Sequence, residues 1–199
     1  MLRRTLGAAL LGASLTLAVT LPALAADAPE DPKNQTPWGL YLTAKEAFDM
    51  KTAQGDGVLF IDVREPIEIM FTGFTDTVDL VVPYMQVDPT AWHPEKPRFE
   101  MRLNPDFAAG VKVAMDARDM GVDTPVILMC RSGGTRGAPS AKALEGLGLK
   151  SVYVVVDGFE GATSKDNPNG PWRLKNGWKN SGLPWSYDMN KDKIPLRAQ

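Results

Sequence analysis

The chain has 199 residues, 44% of them apolar and 23% charged, with a formal net charge of −2. Its one cysteine and one histidine exclude an intrachain disulfide, a cysteine-rich zinc site and any multi-histidine metal centre. The slightly acidic balance offers no electrostatic footprint for nucleic acid or an anionic membrane surface.

Arg3 and Arg4 precede an apolar run over residues 6–21, followed by Pro22 and Ala23-Leu24-Ala25. A basic start, a short apolar stretch and small residues before a cut form the pattern of an export signal, so residues 1–25 are predicted to be cleaved off. The run is too short to favour a membrane anchor. Cleavage removes two basic residues and no acidic one, leaving −4 on residues 26–199. That is the length of one domain. The expected location is periplasmic or otherwise exported. An oxidising compartment makes a lone thiol notable, since structural cysteines there usually have partners.

Residues 26–39 read as an extended lead-in with little to bury. Thr43-Ala44-Lys45-Glu46 has the form of a capping box, and Ala44, Ala47, Phe48 and Met50 supply the buried stripe of a short helix. Residues 58–63 are a continuous apolar run of strand length, as expected for a central strand covered on both faces. Residues 78–82 read as another short strand. Residues 83–105 hold Pro83, Pro89, Pro94, Pro97 and Pro105 and are predicted to be a long irregular excursion. Asn104-Pro105 starts a helix with the face Phe107, Val111, Ala114 and Met115, stopped by Gly121. A strand over 126–129, a helix over 138–147 and a strand over 152–156 follow. From Asp157 the chain is loop-rich. Strands alternating with helices imply a mostly parallel sheet wrapped by helices. Ligands of such sheets bind beyond the carboxyl ends of the strands.

Cys130 sits at one of those ends, in Met129-Cys130-Arg131-Ser132-Gly133-Gly134-Thr135-Arg136-Gly137-Ala138-Pro139. Glycines let backbone N–H groups turn inward around one centre, and a following helix adds its positive end. Arg131 and Arg136 add two permanent charges. These features stabilise a thiolate and make Cys130 a candidate nucleophile, and the same cradle suits a tetrahedral oxyanion. The plain alternative is a buried cysteine before an ordinary strand-to-helix turn. A cysteine–histidine pair would require His93, which lies in the irregular excursion. A phosphate loop ending in Gly-Lys-[Ser/Thr] is absent.

Three segments together resemble the rhodanese family. Val58-Leu59-Phe60-Ile61-Asp62-Val63-Arg64-Glu65-Pro66, followed by Glu68, is similar to its first signature. Cys130-Arg131-Ser132-Gly133 is similar to the start of its active-site loop. Asp157-Gly158-Phe159-Glu160-Gly161, with Gly177-Trp178 and Gly182-Leu183-Pro184, resembles its closing segment. The resemblance covers residues 40–187, which would be the domain, with 188–199 as a C-terminal tail. It implies a rhodanese-like α/β fold: a central, mostly parallel, five-stranded sheet with helices on both faces. It also implies a persulfide mechanism. Cys130 would take sulfane sulfur from a small anionic donor such as thiosulfate and pass it to a thiol or other nucleophilic acceptor. Arg131, Ser132, Gly133, Gly134, Thr135 and Arg136 would hold the persulfide and steer the donor. Asp62 and Arg64 would brace the loop, or form a solvated surface pair. No organic cofactor and no metal are implied.

Two positions depart from the family pattern. Arg136 stands six residues after Cys130 rather than five, a spacing found in related phosphatases and arsenate reductases. Gly73-Phe74 replaces a common Gly-His. The alternatives to a sulfurtransferase are therefore an oxyanion enzyme of that kind and a non-catalytic binding module.

Overall fold

The computed structural model describes residues 25–164, 168 and 170–194, so the predicted signal segment lies outside the described residues except for Ala25. In chain order the elements are β1 (Leu40–Leu42), α1 (Ala44–Gln54), β2 (Leu59–Asp62), α2 (Pro66–Thr72), β3 (Leu80–Val81), β4 (Met85–Trp92), β5 (Phe99–Leu103), α3 (Phe107–Asp116), β6 (Val126–Met129), α4 (Gly137–Lys142) and β7 (Val152–Val155). Five strands form one sheet in the order β1-β7-β6-β2-β3, every neighbouring pair parallel. This is the expected α/β architecture. Among the described residues no helix is long and apolar enough to cross a membrane.

The central strands are apolar without alternation because both faces are covered. Leu59, Ile61, Val126 and Leu128 face a cluster holding Phe107 and Val111 of α3, Ala141 of α4 and Leu144 just beyond it. Phe60, Ile127 and Met129 face the other, with Ala44, Ala47, Ile69 and Trp178. The α1 capping box forms as predicted: the Glu46 amide donates to the Thr43 hydroxyl at 3.2 Å, and the Thr43 amide to the Glu46 carboxylate at 2.7 Å.

Three stretches differ from the sequence reading. Residues 83–105 are not irregular: β4 and β5 pair antiparallel, with a bulge between Asp88 and Trp92, apart from the main sheet. The bulge accommodates Pro89, which has no N–H to give to a ladder. The predicted helix over 138–147 is the six-residue α4, then a separate 3-10 turn at Glu145–Leu147. The lead-in is docked rather than loose. The Ala26 amide donates to the Tyr41 carbonyl at 3.0 Å, and the Trp38 indole donates to the Leu149 carbonyl at 3.0 Å.

The chain leaves β2 toward β3 on one side and leaves β6 toward β7 on the other. The adjacent carboxyl ends of β2 and β6 are therefore the point where the winding reverses. In open α/β sheets that is where a crevice for ligand forms.

Candidate active site

The end of β2 is filled by its own side chains. Asp62 and Arg64 are both fully buried, which sets aside a solvated surface pair. Arg64 Nη2 donates to Asp62 Oδ2 at 2.6 Å and Nε donates to both Asp62 oxygens at 3.0 Å. Nη1 donates to the Thr72 hydroxyl at 2.7 Å and Nη2 to the Gly73 carbonyl at 3.1 Å. The guanidinium lies 3.9 Å from the centre of the Phe159 ring. Phe159 in turn donates its amide to the Cys130 carbonyl at 2.8 Å. A buried charge pair thus reaches the cysteine through one aromatic ring and one hydrogen bond.

The end of β6 is built differently. Cys130 is 2% exposed, at the rim of the α3/α4 core. Residues 131–136 follow as a loop, and none of their amides donates to an acceptor among the described residues. The loop is seated on the turn after β7. Gly133 has φ +72°, and a Cβ there would lie 1.6 Å from the Val156 carbonyl oxygen. Gly158 has φ +63°, and a Cβ there would lie 2.5 Å from the Ser132 nitrogen. Only glycine permits the two loops to approach so closely. Asp157 holds that turn from behind, accepting from the Ala44 amide at 2.8 Å and the Gly177 amide at 3.0 Å. Burial raises its carboxyl above the usual range, against those two hydrogen bonds.

Ser132 and Gly134 are half-buried and Thr135 is exposed. Arg136 is buried and turned toward α2. Its Nη1 and Nη2 donate to the two oxygens of Glu68 at 2.6 and 2.7 Å, a bidentate pair. Burial opposes the Glu68 carboxylate, yet the Arg136 hydrogen bonds, together with the charges of Arg136, Arg64 and Arg131, hold its pKa below the ordinary value. Arg131 is paired as well, its Nε donating to Glu160. Both arginines expected to steer an anion therefore carry carboxylate partners. Because α4 is only six residues long, a long helix's field is not available either. Among the described residues, the amides of 131–136 remain donors without a protein acceptor.

Four contributors have no role in the sequence reading: Glu68, Asp157, Phe159 and Glu160 enter it only as members of motifs. The signal for Glu68 is Glu65-Pro66, since Pro at the first helical position starts α2. His93 lies in the turn between β4 and β5, where Nδ1 accepts from the Glu95 amide at 3.1 Å. Two cavities stand out. One of about 1110 Å³ lies between α2, α3 and the 191–194 turn and is not lined by Cys130. The other, of about 580 Å³, opens beside Arg131 and Glu160.

No family model matches the chain. A protein of Rickettsia prowazekii (strain Madrid E), named only as the uncharacterised RP600, is 35% identical over 66 residues, which is 33% of this chain. The match spans 45% of that relative's length. Among solved structures, the chain is similar to Rv0390 from M. tuberculosis, with a TM-score of 0.50, 27% identity, and coverage of 74% of this chain and 97% of that one. The polysulfide-sulfur transferase homodimer of Wolinella succinogenes gives a TM-score of 0.41 at 17% identity, over 77% of this chain and 79% of that one. Rv0390 has a rhodanese-like fold, and the five-stranded α/β architecture matches that class.

Proposed function

We propose that the chain is an exported sulfurtransferase, or sulfane-sulfur carrier, working through a persulfide on Cys130. One observation carries this reading. Cys130 stands at the winding-reversal point of a rhodanese-like sheet and leads into a loop whose amides meet no protein acceptor among the described residues. The Cys130 thiolate attacks the outer sulfur of thiosulfate. A bond forms between Sγ and that sulfur, the donor's S–S bond breaks, and sulfite leaves with the electron pair. The terminal sulfur of the persulfide carries one negative charge, which the amides of 131–136 are suited to hold. An acceptor thiolate or cyanide then attacks that sulfur and returns Sγ as thiolate.

The bidentate Arg136–Glu68 pair also favours sulfur over phosphoryl transfer. A phosphoryl transition state spreads charge over three oxygens and calls for a positioned cation. Here the only arginine in phosphatase register has its charge matched by Glu68. Export rests on Arg3, Arg4 and the 6–25 segment of the sequence.

The test is an intact mass of the protein after incubation with thiosulfate. The expected result is a gain of one sulfur atom, absent in Cys130→Ser and discharged by cyanide as thiocyanate. Robust aryl-phosphate hydrolysis that collapses in Arg136→Ala, without any sulfur adduct, would overturn it.

A further inference from the structure

Arg136 is held against the nucleophile by the residue that follows it. A Cβ on Gly137 would lie 3.9 Å from Cys130 Sγ, so the backbone passes the sulfur at van der Waals distance. Burial opposes the Arg136 charge, yet the Glu68 hydrogen bonds, then the Glu68 charge and then the Cys130 thiolate raise its pKa. The guanidinium therefore lies within electrostatic reach of the sulfur. Left unmatched there, it would draw doubly charged donors ahead of singly charged ones. It is matched. Both Nη atoms donate to the Glu68 carboxylate, at 2.6 and 2.7 Å. The two side chains are only 10% and 17% exposed, so solvent ions screen the pair little. The helix anchors this carboxylate: Ile69 beside it is fully buried, and the Thr72 hydroxyl, which accepts from Arg64, donates to the Glu68 carbonyl at 2.8 Å.

We propose that Glu68 is the specificity-determining residue of this site: holding both ends of the Arg136 fork, it selects against dianionic tetrahedral donors such as thiosulfate and in favour of sulfane-sulfur donors with a single charge. The proposal rests on the persulfide reading of Cys130. An anion that approaches the fork also meets the Glu68 carboxylate, and that repulsion grows with the charge of the anion. A second negative charge, which an open fork would attract, gains little here. The chemistry is common to both donor classes. With an organic thiosulfonate, Sγ forms a bond to the outer sulfur, the donor's S–S bond breaks, and sulfinate leaves with the electron pair. The persulfide and the sulfinate each carry one charge, and no oxidant or reductant enters. Thiosulfate remains a donor, at a disadvantage set by its second charge.

Methanethiosulfonate differs from thiosulfate by a methyl group in place of one charged oxygen, so the two donors isolate charge. Sulfur loading of Cys130 is timed with each, and the rate ratio of thiosulfate to methanethiosulfonate is compared between proteins, which cancels intrinsic reactivity. In Glu68→Gln the ratio is expected to rise at least about tenfold, because the Arg136 charge becomes available to the donor. A merely structural loss would slow both donors and leave the ratio in place. In Glu68→Gln/Arg136→Gln the ratio is expected to stay within about twofold of the wild type's, whatever the absolute rates, because charge and countercharge leave together. An unchanged or lower ratio in Glu68→Gln overturns the proposal and leaves the persulfide reading intact. A ratio that falls further than this in the double variant also overturns it, since Arg136 would then steer dianions in spite of Glu68. That arm decides even if Glu68→Gln alone does not fold. If neither donor loads Cys130, the function reading fails, and calorimetric titration with sulfate tests Glu68 by itself. Binding at least about tenfold tighter in Glu68→Gln than in the wild type supports its role, and equal binding overturns it.

Discussion

The carboxyl ends of β2 and β6 are neighbours in the sheet and are finished in opposite ways. At β2, Asp62, Arg64, Thr72 and the Gly73 carbonyl satisfy one another, and the Asp62–Arg64 pair at its centre is fully buried. At β6, the amides of 131–136 are left without protein acceptors among the described residues. The closed end is what permits the open one. A loop whose amides make no protein hydrogen bond among the described residues has little of its own to hold it in shape, and its neighbours supply it: Phe159, the turn at 156–158 and Glu68. One strand end is closed by its own hydrogen bonds, and the other keeps donors without protein acceptors among the described residues.

Breaking the closed end has the largest expected effect. Arg64→Ala leaves Asp62 as an uncompensated buried charge and removes the platform under Phe159. Losing one partner of a buried pair costs about 3–5 kcal/mol. Urea denaturation is expected to show a loss of that order, and a loss below about 1 kcal/mol would mean that the pair does not brace the fold. Gly133→Ala attacks the open end instead. Its Cβ would meet the Val156 carbonyl at 1.6 Å in a left-handed backbone, so the loop must shift by the order of an ångström. Misplacement on that scale costs roughly a hundredfold in rate. Persulfide formation should fall by about that factor, with a smaller loss of stability.

The link between the two ends is Glu68–Arg136, and its loss is of intermediate size. Arg136→Ala strands a largely buried carboxylate, at about 1–3 kcal/mol. Sulfur uptake should fall only in part, because the persulfide is held by amides. The pair also leaves a signature in pH. Glu68 has a folded pKa below its ordinary 4.5, so its contribution is complete above 4.5 and is lost as the pH falls through the lower folded value. Glu68→Gln should therefore flatten the acid limb of stability against pH below 4.5, while Asp157, shifted the opposite way, acts equally in both proteins. An unchanged acid limb in Glu68→Gln would show that the pair contributes nothing at that end.

The elements that position the cysteine were legible because their signals are local. A capping box, an unbroken apolar run and a Gly-rich loop each announce themselves within ten residues. The carboxylates that neutralise the arginines were not, since pairing of Arg136 with Glu68 spans 68 residues and neither side chain signals its partner. The β4–β5 hairpin was hidden by its prolines, which read as breakers although a bulge at Pro89 absorbs one of them. α2 was hidden by its shortness. Its single buried apolar residue, Ile69, gives no period to detect.

That hairpin offers the smallest effect and the sharpest control on charge pairing. Asp88 pairs with Arg102 at 2.6 Å, a fourth arginine–carboxylate contact among the described residues, but Arg102 is 70% exposed. The Asp88 carboxyl is held down to about 2, first by the Thr90 hydroxyl and amide and then by Arg102. Both Thr90 groups reach the same oxygen, the hydroxyl at 2.6 Å and the amide at 2.9 Å, as in a tight Asx turn. If the turn rather than the ion pair governs this carboxylate, Thr90→Val should raise its midpoint toward 3.8 more than Arg102→Ala does, as followed by carboxyl carbon NMR. Neither change should alter persulfide formation or the denaturation midpoint measurably, because an exposed pair spends most of its attraction on water. A larger shift in Arg102→Ala would instead mean that the exposed arginine governs Asp88 more than its turn does. Geometry alone would then not separate the pair that braces this fold from the one that decorates its surface.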